Sequence, residues 1–563
     1  MKNIILIFLL ISLDFLAEPL YAQTVEYDYY YRVYFKDKGE NHISDFTPSE
    51  LFTQRAIDRR EKNGIMSLDY KDIPVSKNYL DIISSMGLKL HCTSRWMNTA
   101  LFKSLEPTEI FTLQALPFVE NVKIVKNPVG KGNHSDKFST ELLSDYVNPY
   151  LNALLMVKGD IVHNSGYQGW GKLIAVLDGG FIDLDKLPAF ENLSRRNGII
   201  STYNFVENNN YVYDFHIHGS DIMCILAGDY AENVMGREPT FHGIIGTGLE
   251  ADYLLLRTED TFSEYPAEED FWAAGAEYAD SAGCDIITSS LGYYQFDDSS
   301  MDYKFSDMDG RTAFVTMAAE AAFSRGIVVV NSAGNERLES WGHIIAPSDG
   351  ENVISVGAVD YNEHITTFSS PGPSSEGRIK PDVVAQGVYL PVQTMVDEGS
   401  YIVPTIGFVC CGTSFSCPIV SGMIACLMQV VPQAKASEIV SVIREASDRY
   451  DSPDNDYGYG IPDMVKAVEI LQRKYIKVPS EYLVIGPNPF TDHINITFRD
   501  SPEWLSIELF DAIGNLVWRY NKPNYISLNI TLNDVQKLRP GIYYLKLSSA
   551  QGNLTYKLIK ARM

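Results

Sequence analysis

The alternation of apolar and polar positions divides the chain before any single residue is weighed. After Lys2, the uncharged apolar run Ile4 to Leu13 is followed by Leu20 and, two places on, the small Ala22. A basic start, a short apolar core and a small residue predict a signal peptide over residues 1–22. As a helix the run would reach about 15 Å, roughly half the hydrocarbon core of a bilayer, which favours export over anchorage. No other run reads as long enough to cross. Residues 23–127 predict a small α+β unit: Tyr29 to Phe35 alternates like a strand, Pro48 to Lys62 has the period of a charged amphipathic helix, and Met97 to Phe102 and Val119 to Val125 read as strands. Residues 128–144 predict a linker. The stretch Asn127 to Thr140 is polar, rich in Gly, Ser and Lys, and has no apolar period, the kind of segment that proteases nick.

Over residues 145–475 short apolar runs alternate with helical patterns. Leu173 to Leu177, Tyr253 to Arg257, Asp285 to Ser289 and Ile327 to Asn331 are β-rich with few polar breaks; Ala267 to Ser281 and Ala313 to Ser324 read as helices between them. Strands buried on both faces and separated by helices predict an α/β fold, a doubly wound, mostly parallel sheet. Chemistry in such sheets gathers at the carboxyl ends of the strands. Residues 480–563 change period: His493 to Phe498, Ser506 to Phe510, Ile526 to Thr531 and Gly541 to Leu547 alternate between turn signals, the pattern of a small β-sandwich.

Composition narrows the function. The 563 residues are 45% hydrophobic and 21% charged, ordinary for globular domains, and the formal net charge is −26. With no strong basic run, nucleic acid is excluded as a partner. The seven cysteines (Cys92, Cys224, Cys284, Cys410, Cys411, Cys417, Cys426) cannot all pair internally, and no CxxC pair suggests zinc. Cys224, Cys284 and Cys426 stand in apolar surroundings and read as core residues.

Four residues stand where such a sheet places chemistry. Asp178 closes the run Ile174-Ala-Val-Leu177 before Gly179-Gly180, where a carboxylate can orient an imidazole. His218 precedes Gly219-Ser220 and the helical run Ile222 to Gly228. Ser414 sits in Gly412-Thr413-Ser414 ahead of the apolar helix Phe415 to Val430, with Pro418 near its start, so the free N–H groups and dipole of a helix start favour negative charge beside it. Asn335 ends Ser332-Ala-Gly-Asn after a strand, and its amide can donate to an oxyanion. Singly, each has an ordinary reading: a turn cap, one half of a His216-x-His218 metal pair lacking a matching third ligand, a helix N-cap, a left-handed turn residue. Together they fill the nucleophile, base, orienting group and oxyanion donor of an acyl-transfer protease.

In that order the blocks Ile174-Ala-Val-Leu-Asp178-Gly, His218-Gly-Ser220 and Gly412-Thr-Ser414-Phe-Ser-Cys-Pro418-Ile-Val-Ser-Gly422 resemble the subtilisin-like serine proteases, or subtilases. Ser290-Leu291-Gly292 is similar to the family's strand that pairs with an extended substrate. Ser369-Ser-Pro-Gly-Pro373, Lys380-Pro-Asp-Val-Val-Ala385 and Gly458-Tyr-Gly460 extend the likeness over about residues 150–470. Asp221, Ile419 and Gln386 depart from the family's usual residues, but none belongs to the triad. The flanks resemble the propeptide of bacterial subtilases and, through Pro487-Asn-Pro-Phe490, Gly541-Ile-Tyr-Tyr-Leu545 and Lys557-Leu-Ile-Lys-Ala-Arg562, the sorting domain read by the type IX secretion system. A stabilising or carbohydrate-binding sandwich is the plainer reading of that last unit.

The resemblance implies a secreted or cell-surface serine endopeptidase, made as a zymogen and exported through the periplasm and outer membrane. Asp178, His218 and Ser414 would be catalytic, Asn335 would serve the oxyanion hole, and Ser290, Leu291 and Gly292 would bind substrate. The partners implied are protein or peptide substrates, the propeptide as intramolecular inhibitor, and the outer-membrane secretion machinery. No cofactor and no metal site is expected for the chemistry, and structural calcium is left open. The rival readings are a catalytically silent surface-binding protein on a protease scaffold and an inhibitor-like or structural secreted protein.

Overall fold

The computed structural model describes residues 29–128, 152–232, 242–397, 402–475, 482–498, 505–522, 529–549 and 552–561. The expected signal peptide at 1–22 and nearly all of the 128–144 linker lie outside the described residues.

The N-terminal unit is an antiparallel sheet of β1 (Tyr29–Phe35), β2 (Lys89–Ser94), β3 (Thr99–Ser104) and β4 (Val119–Lys126), in the order β2-β3-β1-β4. Alternation along β1 sends Tyr31, Val33 and Phe35 into the unit's own core and turns Arg32 to the opposite face. The single helix expected over Pro48 to Lys62 is divided. A one-turn helix, Pro48–Leu51, ends where Phe52 becomes extended, and α1 (Gln54–Lys62) starts afresh under Thr53, whose hydroxyl accepts from Ala56 N at 3.3 Å. The break swings the Phe52 ring to within 3.9 Å of the Arg60 guanidinium. The strand expected at Met97 to Phe102 begins two residues later, because Asn98 (φ 52°) takes a left-handed turn and donates to Phe35 O at 2.9 Å.

The central unit contains β5 (Leu173–Asp178), β6 (Ile199–Asn204), the hairpin β7 (Asp229–Glu232) with β8 (His242–Ile245), β9 (Asp252–Arg257), β10 (Ile286–Ser289), β11 (Val328–Ser332), β12 (Ile354–Val359), β13 (Val383–Gln386), and a second hairpin, β14 (Leu390–Asp397) with β15 (Ile402–Cys410). Seven strands form one parallel sheet in the order β13-β12-β11-β10-β5-β9-β6. Both faces are dry: Ile174 and Val176 of β5 enter one core cluster, Leu173, Ala175 and Leu177 the other. Helices α2 (His218–Ala227), α3 (Ala267–Ala282), α4 (Phe314–Ser324), α5 (Thr413–Val430) and α6 (Met464–Tyr475) cover these faces, with α2 and α5 on the first and α3 and α4 on the second.

Two helices start earlier than their apolar runs indicate, α2 at His218 and α5 at Thr413, so Pro418 lies inside α5 and not at its start. Helix α5 is also long and apolar enough to cross a membrane, a run that the periodicity reading passed over. Since 89% of it is buried inside this unit, it is a core helix. Cys224, Cys284 and Cys426 carry free thiols in the core, as expected.

The C-terminal unit has strands β16 (Tyr482–Gly486), β17 (Ile494–Phe498), β18 (Leu505–Asp511), β19 (Leu516–Lys522), β20 (Asn529–Leu532), β21 (Gly541–Ser549) and β22 (Gly552–Lys560). They form antiparallel sheets ordered β16-β17-β20 and β19-β18-β21-β22 around a shared apolar core, the expected sandwich.

Candidate active site

Asp178 is the last residue of β5 and is fully buried. Both carboxylate oxygens face His218 Nδ1, at 3.0 and 2.9 Å, and Oδ1 also accepts the Gly179 N–H at 2.7 Å. This fixes the Nδ1–H tautomer of His218 and leaves Nε2 as the basic nitrogen. The approach requires glycine twice. A Cβ at Gly219 would stand 2.2 Å from Gly180 O, and one at Gly180 2.5 Å from Asp214 O. His216, the other member of the His-x-His pair, accepts the His218 N–H on its Nδ1 at 3.0 Å, a capping bond at the start of α2.

Ser414 lies in the first turn of α5, 9% exposed, and its neighbour Phe415 packs its ring 5.7 Å from the His218 ring. Pro418 has no N–H, so the carbonyl four residues back, that of Ser414, loses its helical donor. Ser290 supplies the replacement: its Oγ donates to Ser414 O at 2.8 Å, while Ser414 Oγ donates to Ser290 O at 3.4 Å. Sequence reading named Ser290 only for substrate pairing. Its hold on Ser414 was missed, although a proline four residues after a serine is the signal for it.

Asn335 belongs to the same constellation. Its Oδ1 accepts from Thr413 N at 2.9 Å and from Thr413 Oγ1 at 3.0 Å, which fixes the amide orientation and turns Nδ2 toward Gly412. A Cβ on Gly412 would only touch that nitrogen, at 3.5 Å, so it is the backbone conformation there (φ 149°), beside Ser414, that calls for glycine. Leu291 and Gly292 follow Ser290 along the same edge. Leu291 O accepts from Asn331 Nδ2 at 2.9 Å, and a Cβ at Gly292 would strike Ile345 Cδ1 at 2.2 Å. Burial pushes the Cys417 thiol up to about 11, so this neighbour of Ser414 stays protonated at neutral pH and is no rival nucleophile. Among the described residues, one group of three acids, Glu259, Glu264 and Glu268, brings ligand oxygens within 4.8 Å of one another, and it does not include Asp178.

The N-terminal unit packs on α3 through buried charge. Arg32 donates to Asp270 at 2.8 Å and lays its guanidinium 3.6 Å from the centre of the Phe314 ring. Asp280 receives Arg59, Arg60 (2.6 Å) and Arg95 (2.9 Å), and Glu277 receives Ser94 Oγ at 2.6 Å. Burial pushes the Asp280 carboxyl up, but the three guanidinium groups outweigh it and hold it below the ordinary carboxylate range. Trp96, Leu101 and Val125 of this unit share a core cluster with α3 and α4.

Residues 169–460 match the subtilase family, residues 30–140 the peptidase S8 propeptide domain of Bacteroidota, and residues 484–561 the secretion system C-terminal sorting domain. Serine protease AprX of Bacillus subtilis (strain 168) is 32% identical over 192 residues, covering 31% of this chain and 41% of that protein. Subtilisin DY of Bacillus licheniformis is 27% identical over 287 residues, covering 50% and 86%. The chain spans less than half the length of AprX and 28% of a subtilisin-like protease of Arabidopsis thaliana. Fervidolysin of Fervidobacterium pennivorans, a keratinolytic enzyme related to subtilisin, superposes with a TM-score of 0.51 at 15% identity over 95% of this chain and 77% of its own, a likeness of fold.

Proposed function

The chain belongs to the subtilase family, and from that premise we propose that it is a serine endopeptidase made as a zymogen, with Asp178, His218 and Ser414 as its catalytic triad. The observation that carries the reading is the two-oxygen grip of Asp178 on His218 Nδ1 at the carboxyl end of the parallel sheet, where the Ser414 helix also begins.

In this reading Ser414 Oγ leaves Ser290 O, passes its proton to His218 Nε2 and attacks the scissile carbonyl. Asp178 stabilises the imidazolium. Asn335 Nδ2 and the Ser414 N–H hold the oxyanion, the leaving amine takes its proton from His218, and water hydrolyses the acyl-enzyme. The chemistry as proposed uses side chains and backbone alone and calls for no cofactor. Ser290, Leu291 and Gly292 would bind substrate as an added strand. The propeptide domain would act as the intramolecular inhibitor, and the C-terminal unit would engage the outer-membrane secretion machinery.

A fluorophosphonate probe tests the reading. Wild-type protein is expected to be labelled and Ser414→Ala to remain unlabelled. Equal labelling of the two would remove Ser414 as nucleophile.

A further inference from the structure

Resting on that endopeptidase reading, we propose that the loops following β9 and β10 form an acidic subsite selecting substrates with a lysine or arginine on the N-terminal side of the scissile bond, and that Lys126 of the propeptide domain occupies it in the zymogen.

The place of these loops follows from the sheet. Strands β9 and β10 flank β5. Arg257 pairs with Asp178, the Thr258 N–H donates to Asp178 O at 3.0 Å, and on the other side Ser289 pairs with Leu177 just before Ser290 bonds the nucleophile. Both loops therefore leave the sheet beside the triad. They are joined to each other, with Asp297 N donating to Glu264 O at 2.8 Å and Glu264 N to Asp297 Oδ2 at 3.3 Å. The two loops, residues 258–266 and 290–303, carry six carboxylates (Glu259, Asp260, Glu264, Asp297, Asp298, Asp302) and no lysine, arginine or histidine.

Into this mouth runs the end of β4. Lys126 Nζ meets Asp260 Oδ2 at 3.3 Å and Ser263 Oγ at 3.1 Å, with the Tyr265 ring centre 5.6 Å away, and Asn127 Nδ2 donates to Asp298 Oδ2 at 2.8 Å. The receiving carboxylate is held in place from its own side: Asp260 Oδ2 accepts from Ser263 Oγ at 2.8 Å and Oδ1 from Phe262 N at 3.2 Å. A fixed carboxylate, a second acid across the mouth and an aromatic wall make a receptor for an ammonium or guanidinium group. The Lys126–Asp260 pair is about four-fifths desolvated (side chains 22% and 18% exposed), so it is screened less than a pair on open surface. Once the propeptide leaves, Asp260 and Asp298 lose the Lys126 and Asn127 contacts, and a substrate with a basic residue at the matching position restores the cation.

The test uses the full chain, expressed and left to mature, with active enzyme counted by fluorophosphonate labelling. Peptides of one cleavable sequence carry Lys, Arg, Ala or Glu at each upstream position in turn. At one of these positions Lys and Arg are expected to raise kcat/KM over Ala by about tenfold, the scale of a charge-assisted hydrogen bond, and Glu to lower it. The advantage should shrink with added salt and flatten in Asp260→Asn/Asp298→Asn. Equal kcat/KM for Lys and Ala at every upstream position in labelled wild-type enzyme overturns the subsite and leaves the endopeptidase reading standing. Wild-type protein that neither labels nor cleaves overturns that reading, and the subsite with it. The wild-type peptide series decides the matter even if the double variant does not fold.

Discussion

At the scale of single residues, the proposed mechanism separates groups that do chemistry from groups that hold them. If Asn335 is an oxyanion donor, Asn335→Leu should lower kcat by about 10²–10³ with KM little changed, the loss known for removing one such donor from subtilisin itself. A variant that keeps wild-type kcat would show the amide serving only as the cap of Thr413. Ser290 is a positioning residue with a different signature. Ser290→Ala leaves Ser414 O, already stripped of its helical donor by Pro418, buried without its hydroxyl partner, which should destabilise the protein by about 1–3 kcal/mol. Thermal unfolding of Ser290→Ala, Pro418→Ala and the double variant checks this. The double variant should lose less than the sum of the singles, because alanine at 418 returns an N–H to that carbonyl; strict additivity would refute the coupling. The triad candidates were legible in the sequence because each follows or precedes a strong apolar run. The Ser290–Ser414 bond was not, since a motif gives spacing along the chain and not which carbonyl a neighbouring strand will reach.

Among the elements, the interface of α3 with the sheet of the propeptide domain is, on the proposed reading, what would set how tightly the zymogen is closed. Asp280 is fully buried beneath three guanidinium groups. Asp280→Asn removes the carboxylate that Arg59, Arg60 and Arg95 share, leaving Asp72 to answer Arg60 and Glu277 to answer Arg95; breaking buried pairs in this way costs about 3–5 kcal/mol, and the propeptide should then no longer co-purify with the catalytic domain after cleavage. Co-purification at the wild-type ratio would argue against the arginine cluster as the main clasp. His91 on β2 adds a pH dependence. Its Nε2 meets Phe205 O at 2.7 Å, its Nδ1 faces Asn208 Nδ2 at 3.2 Å, and its ring packs between Tyr30 and Phe271. Only a neutral ring satisfies both neighbours, and burial, helped by Lys103 and Lys89, pulls its pKa down to about 3. The undocked ring titrates at its ordinary value near 6.5, so docking keeps its full strength above that pH and weakens as pH falls below it, by at most about tenfold per unit. Because His91 is half-buried rather than fully enclosed, the expected effect is several-fold between pH 7 and pH 5. Propeptide retention measured across that range should fall in wild type and stay level in His91→Phe. Neither contact was legible beforehand: the apolar pattern predicts no strand at Lys89–Ser94, puts residues 23–127 and Ala267 to Ser281 in separate units, and says nothing of which faces meet.

Over the whole molecule, the candidate site and the sorting domain lie at opposite ends of the central strands, while the propeptide domain touches both ends, with Arg55 bonding Gly171 O and Gly283 O ahead of β5 and β10. The propeptide domain reaches the carboxyl end, where β4 runs into the mouth beside Asp178. The sorting domain instead meets the turn that leads into the amino end of β5: Ser165 Oγ lies 2.8 Å from Thr497 Oγ1, Gly166 lies under Pro487, and Gly486 packs on the buried Tyr167 ring. Glycine is needed at 166 (φ 83°), because a Cβ there would stand 2.5 Å from Pro487 Cδ. Separation of this kind predicts separable functions. A chain ending at Tyr475 keeps every residue of the candidate site and both faces of the central sheet, and loses the cover over Tyr167. Its kcat/KM on a peptide should match that of the full chain, with an unfolding midpoint lowered by the newly exposed ring. Its destination should change, because the sorting domain marks the chain for export: the truncated enzyme should collect in the periplasm while the full chain reaches the surface or the medium. Activity assays on cell fractions measure both properties in one experiment. Truncated enzyme in the medium at the full-chain level would deny the C-terminal sandwich its sorting role, and loss of peptide hydrolysis in correctly folded truncated protein would mean that the amino end of the sheet is coupled to the site at its other end.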